Sequence, residues 1–319
     1  MRRALGLVAL VCTVPLAALA GHGDLPPLVT QPMTFASATL SDAELLAGAP
    51  GTPGTIGGHL RLPVTPARIP AVVLVHGETG LAANVRYWAD VLNSMGLAVF
   101  LLDSFSGRGI TETSTSLARL SDASMLIDAY RALAVVGTHG KIDARRIAVL
   151  GFSKGGWAAL HTSARRFHAT YGPKGLEYAA HLALYPPCAL AYRDDEQVHR
   201  RPIRILHGTA DDWMPIEPCR QYVARLRKAG ADAALVELAG ARHFFDVVDL
   251  PPQVRLPGVQ RRACALEERA GAPVNRATGR APVGDECVQA GASVGHDARA
   301  LEDAVRHVKE TLVAALGGR

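Results

Sequence analysis

The sequence predicts an α/β fold in which a mainly parallel sheet is covered by helices on both faces. Six short, nearly continuous apolar runs end in turn residues, and they lie at 71–77, 97–103, 146–152, 181–187, 203–208 and 234–240. Strands that are buried on both faces have this pattern. Helical periodicity appears between or after these runs, at 84–95, 121–136, 154–167, 218–229 and 297–316. Alternation of strand and helix along the chain is typical of a parallel sheet.

The chain is long enough to bury a sizeable core, since it has 319 residues of which 49% are hydrophobic. Two segments before the first apolar run, at 33–40 and 57–64, show partial alternation and predict an antiparallel pair that opens the sheet. Residues 249–295 interrupt the alternation because they are rich in proline, glycine, alanine and arginine. We expect a single domain over 21–319, with a long loop excursion at 249–295 before the last helix.

The first 20 residues are predicted to form a secretory signal peptide. Arg2 and Arg3 precede an apolar run, and the small residues at 18–20 fit an A-x-A cleavage site that ends at Ala20. The run is short for a membrane span and contains Pro15, although an uncleaved anchor is the alternative interpretation. We therefore expect a periplasmic or secreted protein without stable membrane insertion after cleavage.

Four of the five cysteines follow the predicted signal peptide, and an even number in an exported chain favours disulfides. We prefer to pair Cys188 with Cys219, because both come just after predicted strand ends. The preferred second pair is Cys264 with Cys287, which bracket a loop rich in glycine and proline. Four buried free thiols are the alternative.

Charge and metal-ligand spacing exclude several classes of function. The formal net charge is +5, but the basic residues are scattered and form no dense block interleaved with aromatic residues. Nucleic acid is therefore not an expected partner. Histidines and cysteines show neither HExxH nor CxxC spacing, so we predict no metal site and no cofactor. The oligomeric state is not predicted.

A serine lies at the tight turn between the predicted strand 146–152 and the helix that follows it. The stretch GFSKGG at 151–156 presents Ser153 in a Gly-x-Ser-x-Gly pattern. Such a turn forces unusual backbone angles on the serine, and its glycines let neighbouring elements approach without a Cβ clash. The pattern alone is a weak signal, but the strand before it and the helix after it favour a nucleophile.

A base and an acid for this serine follow in the required order. Asp211 comes just after the predicted strand 203–208, and His243 comes just after 234–240. A serine hydroxyl needs a base, and the base needs an acid to orient it. Because all three residues follow strand ends, we predict the triad Ser153, Asp211 and His243. The adjacent Asp212 is the alternative acid.

Acyl transfer also requires donors for the oxyanion of the tetrahedral intermediate. The main-chain N–H of Lys154, directly after the serine, is one expected donor. The second is expected from the loop after the first apolar run, which reads HGETG, through the main-chain N–H of Glu78. A glycine-rich turn without chemistry is the alternative for that loop.

These stretches together resemble the dienelactone hydrolase family of the α/β-hydrolase superfamily. The similarity is carried by VVLVHGETG, AVFLLDSFSGRG, IAVLGFSKGGWAAL, YPPC, ILHGTADDWMP and GARHFFD, and it runs from about residue 33 to 316. The resemblance implies an α/β-hydrolase fold with catalysis by Ser153, Asp211 and His243. One departure is that the enzyme for which the family is named uses a cysteine where this chain has Ser153. A serine fits a broader carboxylesterase.

Substrate contacts are expected from a small set of side chains. The namesake enzyme binds a substrate carboxylate through arginine, and the resemblance makes Arg108 the candidate here. A solvated loop arginine or a partner of Asp103 is an equal alternative. Trp213 and Phe244 are candidates for lining an acyl or aromatic pocket, whereas core packing is the preferred interpretation of Trp157.

The sequence therefore predicts an exported serine hydrolase whose partner is a small-molecule ester or lactone. The alternative from another class is a non-catalytic binding protein on the same fold, because a fold does not determine a function. Within enzymes, a peptidase or a polyester hydrolase is a further alternative.

Overall fold

An eight-stranded sheet forms the centre of the computed structural model, which describes residues 25–262, 264–281 and 288–317. The predicted signal peptide, 1–20, lies outside the described residues. Strands are numbered along the chain as β1 Leu28–Thr39, β2 Thr52–Pro63, β3 Ile69–Val75, β4 Ala98–Asp103, β5 Ile142–Phe152, β6 His181–Leu184, β7 Leu190–Ala191, β8 Ile203–Gly208, β9 Ala233–Leu238, β10 Val254–Arg262, β11 Leu266–Arg269, β12 Ala272–Asn275 and β13 Val288–Val294. The helices are α1 Asp42–Leu46, α2 Ala83–Ser94, α3 Asp122–Gly137, α4 Lys154–His161, α5 Arg165–Tyr171, α6 Glu217–Lys228 and α7 Ala298–Leu316.

The sheet order confirms the predicted fold class. The strands run in the order β1-β2-β4-β3-β5-β6-β8-β9. β1 pairs antiparallel with β2 and β2 antiparallel with β4, so the predicted opening pair is confirmed. All other pairs in this sheet are parallel. The carboxyl ends of β3, β5, β6, β8 and β9 therefore lie at one edge of the sheet, which is where such sheets place their ligands.

Helices cover both faces of the sheet, as the continuous apolar runs predict. In β3, Val73 and Val75 pack with α3 and α4 on one face, while Val72 and Leu74 pack with α2 and α7 on the other. Side chains that follow one another in a strand point to opposite faces, so both sets are buried only when both faces are covered. Among the described residues, no helix combines the length and apolarity needed to cross a membrane.

The helix predicted over 154–167 is divided into α4 and α5. Thr162 donates its hydroxyl to the carbonyl of Ala159 at 2.7 Å, and Ser163 donates to Leu160 at 2.6 Å. Side chains that bond to nearby backbone groups compete with helix continuation. The chain therefore turns at this point and begins α5 at Arg165.

Residues 249–295 contain strands where a loop was expected. β10 pairs antiparallel with β13, while β11 pairs antiparallel with β12 and parallel with β7. Because β7 lies more than 70 residues before β11, this pairing has no local signal in the sequence. Proline and glycine within β10, β12 and β13 also weaken the strand pattern.

The predicted pairing of Cys188 with Cys219 is confirmed, with the two Cα atoms 5.0 Å apart. This disulfide joins the segment before β7 to α6. Cys264 also forms a disulfide. Its predicted partner, Cys287, lies outside the described residues.

Gly155 is expected to tolerate no side chain. A Cβ there would lie 2.2 Å from the carbonyl oxygens of both His76 and Val75. Alanine gains about 1 kcal/mol in helix propensity, but this backbone overlap costs more. We expect Gly155→Ala to lower the free energy of unfolding by about 3 kcal/mol in urea titrations.

The matched control is Gly140→Ala, because a Cβ there meets no atom within 4 Å. Its free energy of unfolding should change by about 0.5 kcal/mol or less. Equal effects of the two substitutions would show that the approach of α4 to β3 is not as close as described.

Candidate active site

Ser153 occupies a strained turn between β5 and α4. Its backbone angles are φ 52° and ψ −118°, in a region that costs a residue with a side chain about 1–3 kcal/mol. A Cβ on Gly151 would lie 2.0 Å from the carbonyl oxygen of Gly155, so the turn closes only if this position is glycine. The geometry matches the strand–serine–helix turn predicted from the sequence.

The loop after β3 lies directly against this turn. A Cβ built on Gly77 would be 3.3 Å from the Cβ of Ser153 and 3.1 Å from the carbonyl oxygen of Phe152. Glu78 follows Gly77, and its carbonyl oxygen accepts the N–H of Thr113 at 2.9 Å. The main chain at Glu78 is therefore fixed beside the serine.

A continuous hydrogen-bond chain joins Ser153, His243 and Asp211. His243 Nε2 lies 2.9 Å from Ser153 Oγ, and His243 Nδ1 lies 2.7 Å from Asp211 Oδ2. Asp211 Oδ1 accepts the N–H groups of Trp213 and Met214 at 2.9 and 2.8 Å. Asp211 is thus held by two backbone donors while its other oxygen faces the imidazole, so Nδ1 carries the proton and Nε2 is free to accept one.

The structure places Asp211, and not its neighbour Asp212, against the histidine. Asp212 Oδ1 accepts the N–H of Ser293 at 2.7 Å, and Oδ2 lies 3.5 Å from Arg255. Asp212 therefore connects its loop to β13 and β10. The residue after β13 also supports the histidine, since Gly295 donates its N–H to the carbonyl of His243 at 3.1 Å.

Aromatic rings surround the imidazole of His243. Ring centroids of Tyr185, Trp213 and Phe244 lie 4.5, 4.8 and 4.8 Å from its centroid. Trp213 also donates its indole N–H to the carbonyl of Gln260 at 3.0 Å. The predicted contacts of Trp213 and Phe244 with a substrate stay predictions. Both rings are buried against the histidine, and these contacts help to fix its orientation.

A buried carboxylate supports the histidine loop, and the sequence analysis missed it. Asp246 accepts hydrogen bonds from Tyr185 Oη at 2.7 Å, Trp88 Nε1 at 2.9 Å and Asn84 Nδ2 at 3.2 Å. Burial raises the pKa of Asp246, and these donors oppose that shift. The signal in the sequence is the spacing HFFD, which places an acid three residues after His243.

Both expected oxyanion donors lie beside the serine. Lys154 is the first residue of α4, where a helix leaves its N–H groups without intrahelical partners and carries a positive dipole end. Glu78 is on the adjoining loop, as described above. The two expected main-chain donors thus belong to the two segments that meet at the serine turn, the start of α4 and the loop after β3.

Arg108 does not join this site, which corrects the expected carboxylate contact. Its guanidinium donates to Asp128 Oδ2 and Oδ1 at 2.7 and 3.0 Å, and to Thr39 Oγ1 at 2.8 Å. It also donates to the carbonyls of Ser104 and Ala38 at 2.8 and 3.0 Å. These bonds use every N–H of the side chain. Arg108 is held here because Asp128 is fully buried, and a buried carboxylate needs a compensating positive charge.

A pocket of about 140 Å³ opens beside the serine turn. Glu78, Lys154, Cys188 and Leu266 are among the residues that line it. Trp157 belongs to the hydrophobic core, as predicted, and it also lines this pocket. The segments around β7 and β11, which the disulfides hold, therefore shape the space available to a ligand.

An α/β fold with a buried Ser-His-Asp constellation after β5, β8 and β9 defines the class of α/β-hydrolases. The family model of the dienelactone hydrolase family matches residues 56–268, more than half of the chain. The chain therefore belongs to the dienelactone hydrolase family, which places it among hydrolases of the ester and lactone type.

Two relatives have names that describe lactone hydrolysis. A protein of a Bradyrhizobium species, provisionally assigned as a 2-oxo-3-(5-oxofuran-2-ylidene)propanoate lactonase, is 25% identical over 59% of this chain and 77% of its own length. A protein of Methylorubrum extorquens, provisionally assigned as a carboxymethylenebutenolidase, is 23% identical over 73% of this chain and 84% of its own.

Solved structures share the fold. A dienelactone hydrolase-like promiscuous phosphotriesterase from metagenomic libraries has a TM-score of 0.58 and 15% identity, covering 90% of this chain and 99% of its own. A protein of Klebsiella pneumoniae, provisionally assigned as a dienelactone hydrolase, also has a TM-score of 0.58 and 15% identity, covering 89% of this chain and 99% of its own. At this identity, the likeness concerns the fold.

The two neighbouring aspartates allow a matched test of the site. Asp211→Asn keeps the shape of the side chain but removes the charge that faces His243 Nδ1, and we expect kcat for p-nitrophenyl acetate to fall by about 10³–10⁴-fold. Asp212→Asn keeps an oxygen for the Ser293 N–H, so kcat should stay within about threefold of wild type. If Asp212→Asn lowered kcat more than Asp211→Asn does, the assignment of the acid role to Asp211 would be wrong.

Proposed function

We propose that this protein is an exported serine hydrolase that cleaves carboxylic esters or lactones through an acyl-enzyme on Ser153. The observation that carries this proposal is the unbroken chain of hydrogen bonds from Ser153 through His243 to Asp211. A serine hydroxyl becomes nucleophilic when a positioned base accepts its proton. Here His243 is positioned as the base, and Asp211 is the acid that orients it.

The first half of the reaction forms the acyl-enzyme. Ser153 Oγ attacks the carbonyl carbon, and its proton passes to His243 Nε2. The carbonyl oxygen becomes an oxyanion, which the main-chain N–H groups of Glu78 and Lys154 stabilise. The tetrahedral intermediate then collapses. The bond to the alcohol oxygen breaks, and the leaving alcohol takes the proton from His243.

The second half of the reaction restores the enzyme. A water molecule gives its proton to His243 Nε2 while its oxygen attacks the acyl carbon. The bond from the acyl carbon to Ser153 Oγ breaks, Oγ regains the proton, and a carboxylic acid leaves. Throughout, Asp211 keeps the imidazole in one orientation and offsets the positive charge that develops on it. For a lactone, acid and alcohol remain in one product.

The names of the two relatives support a substrate of the ester or lactone type, since one is provisionally a lactonase and the other a carboxymethylenebutenolidase. The serine at the turn favours the broader range of carboxylic esters. An oxygen nucleophile relies on its base at neutral pH, because an alcohol is far less acidic than a thiol. The close contact of His243 with Ser153 fits that requirement.

Two observations support export. The first is the sequence pattern of the predicted signal peptide, with Arg2, Arg3 and an A-x-A site that ends at Ala20. The second is the Cys188–Cys219 disulfide, because disulfides persist in oxidising compartments such as the periplasm. We therefore propose a periplasmic or secreted location.

Loss of the nucleophile tests the proposed chemistry. Ser153→Ala removes the only atom that forms the acyl bond, and we expect kcat/KM for a series of short-chain p-nitrophenyl esters to fall by about 10³-fold or more. The control is Ser163→Ala, which removes a buried hydroxyl that donates to the carbonyl of Leu160. Its rates should stay within about threefold of wild type. Equal activity of wild type and Ser153→Ala would reject the acyl-enzyme mechanism.

Export is tested by the length of the mature chain. When the full sequence is expressed in a Gram-negative host, intact mass of the periplasmic protein should correspond to a chain that begins at Gly21. Ala20→Phe should block cleavage, since the site accepts only small side chains, whereas Ala17→Phe lies outside the A-x-A positions and should be cleaved. An uncleaved wild-type chain in the cytoplasm would refute export.

A further inference from the structure

We propose that the pocket beside Ser153 selects esters that carry a positive charge and disfavours esters that carry a carboxylate. This inference rests on the proposed function and specifies the substrate class of the same site. It differs from the expectation that an arginine binds a carboxylate of the substrate, because the guanidinium of Arg108 is bound to Asp128 instead.

The strongest observation is the burial of Glu78, one of the residues that line the pocket. The residue is 2% exposed, and its Oε2 has no hydrogen-bond partner among the described residues. Oε2 is also closed to solvent, so this carboxylate acts on a ligand in the pocket through its charge and not through a direct hydrogen bond. A charge in a wall of low dielectric acts strongly at short range. Glu78 therefore makes the pocket more complementary to a cation than to any other charge type.

Lys154, which also lines the pocket, does not offset this preference. Lys154 Nζ lies 3.4 Å from Asp122 Oδ1 and also donates to the carbonyl of Leu120. Its charge is thus compensated by Asp122, which lines the same pocket. An incoming carboxylate would have to compete with both partners for the ammonium group.

A third acid adds to the negative charge of the wall. Asp42 lines the pocket and lies near the N-terminus of α3, where its Oδ1 accepts the N–H of Ala123 at 3.4 Å. The N-termini of α3 and α4 contribute about half a positive charge each. Among the lining residues that the structure describes, three carboxylates therefore outweigh one ammonium group and two helix ends, and the local field attracts cations.

The remaining lining suits the apolar part of such a substrate. Trp157, Tyr192 and Met214 line the pocket, and no arginine does so among the described residues. Faces of aromatic rings attract cations, and a quaternary ammonium group has an apolar surface that packs well against them. A substrate with a bulky ammonium group would thus satisfy both the charge and the shape of the wall.

Two sets of matched esters test this inference. The first has the charge in the alcohol: acetylcholine, its uncharged isostere 3,3-dimethylbutyl acetate, and 3-acetoxypropanoate. The second has the charge in the acyl group: p-nitrophenyl esters of 4-(trimethylammonio)butanoate, of 5,5-dimethylhexanoate and of glutarate. We expect kcat/KM of the wild type to be at least about tenfold higher for the cation than for the anion in one set or both.

Glu78→Gln should reduce the ratio of cationic to anionic kcat/KM by about tenfold, because it removes one charge from the wall. The control is Glu237→Gln, which changes net charge equally but alters a surface side chain paired with Arg220. Its ratio should stay within about twofold of wild type. Raising the salt concentration from about 20 mM to about 500 mM should narrow the wild-type ratio and leave the rates for neutral esters unchanged.

The outcomes separate this inference from the proposed function. Hydrolysis of the neutral esters with no preference for the cation in either set would overturn the inference and leave the esterase intact. Failure to hydrolyse any of the six esters would overturn both. If Glu78→Gln is inactive on all esters, the inference is tested by the wild-type ratio of cationic to anionic kcat/KM and by its salt dependence. A wild-type ratio that does not change with salt would contradict a preference based on charge.

Discussion

The close approach of α4 to the loop after β3 is the constraint on which the rest of the site depends. A side chain at Gly155 would overlap the carbonyls of Val75 and His76, so the two elements meet only through glycine. Ser153 lies in its strained conformation at this approach, with its hydroxyl oxygen 2.9 Å from His243 Nε2. It also brings the main chain at Glu78 beside the N-terminus of α4. Nucleophile and oxyanion donors are thus placed by one packing contact.

The histidine is held by a second layer of contacts from four parts of the chain. Asp211 fixes one nitrogen, aromatic rings enclose the imidazole, and Asp246 anchors the loop through three donors. β13 then pairs with the histidine itself through an isolated bridge to Val294. Because these groups are buried, the imidazole has little freedom to rotate, and its proton transfer is preorganised. The strands at 254–294 therefore serve the active site as well as the pocket wall.

Local patterns predicted most of this architecture. Apolar runs with turn residues identified the parallel strands, and the strand ends identified Ser153, Asp211 and His243. Features that depend on partners far away in the sequence were not predicted. Arg108 bonds to Asp128 and to atoms of β1, and nothing near it in the sequence signals that pair. The strand β11 pairs with the distant β7, and Asp246 gains its role only when Trp88 and Tyr185 reach it.

Covalent trapping of Ser153 tests the central claim most directly. A fluorophosphonate reacts with a serine only when a base activates the hydroxyl and an oxyanion site accepts the phosphoryl oxygen. The account predicts one adduct per chain, located on Ser153 by peptide mass, and labelling that is slowed about 10³-fold or more in His243→Ala. An adduct on another residue, or labelling of His243→Ala at the wild-type rate, would contradict it.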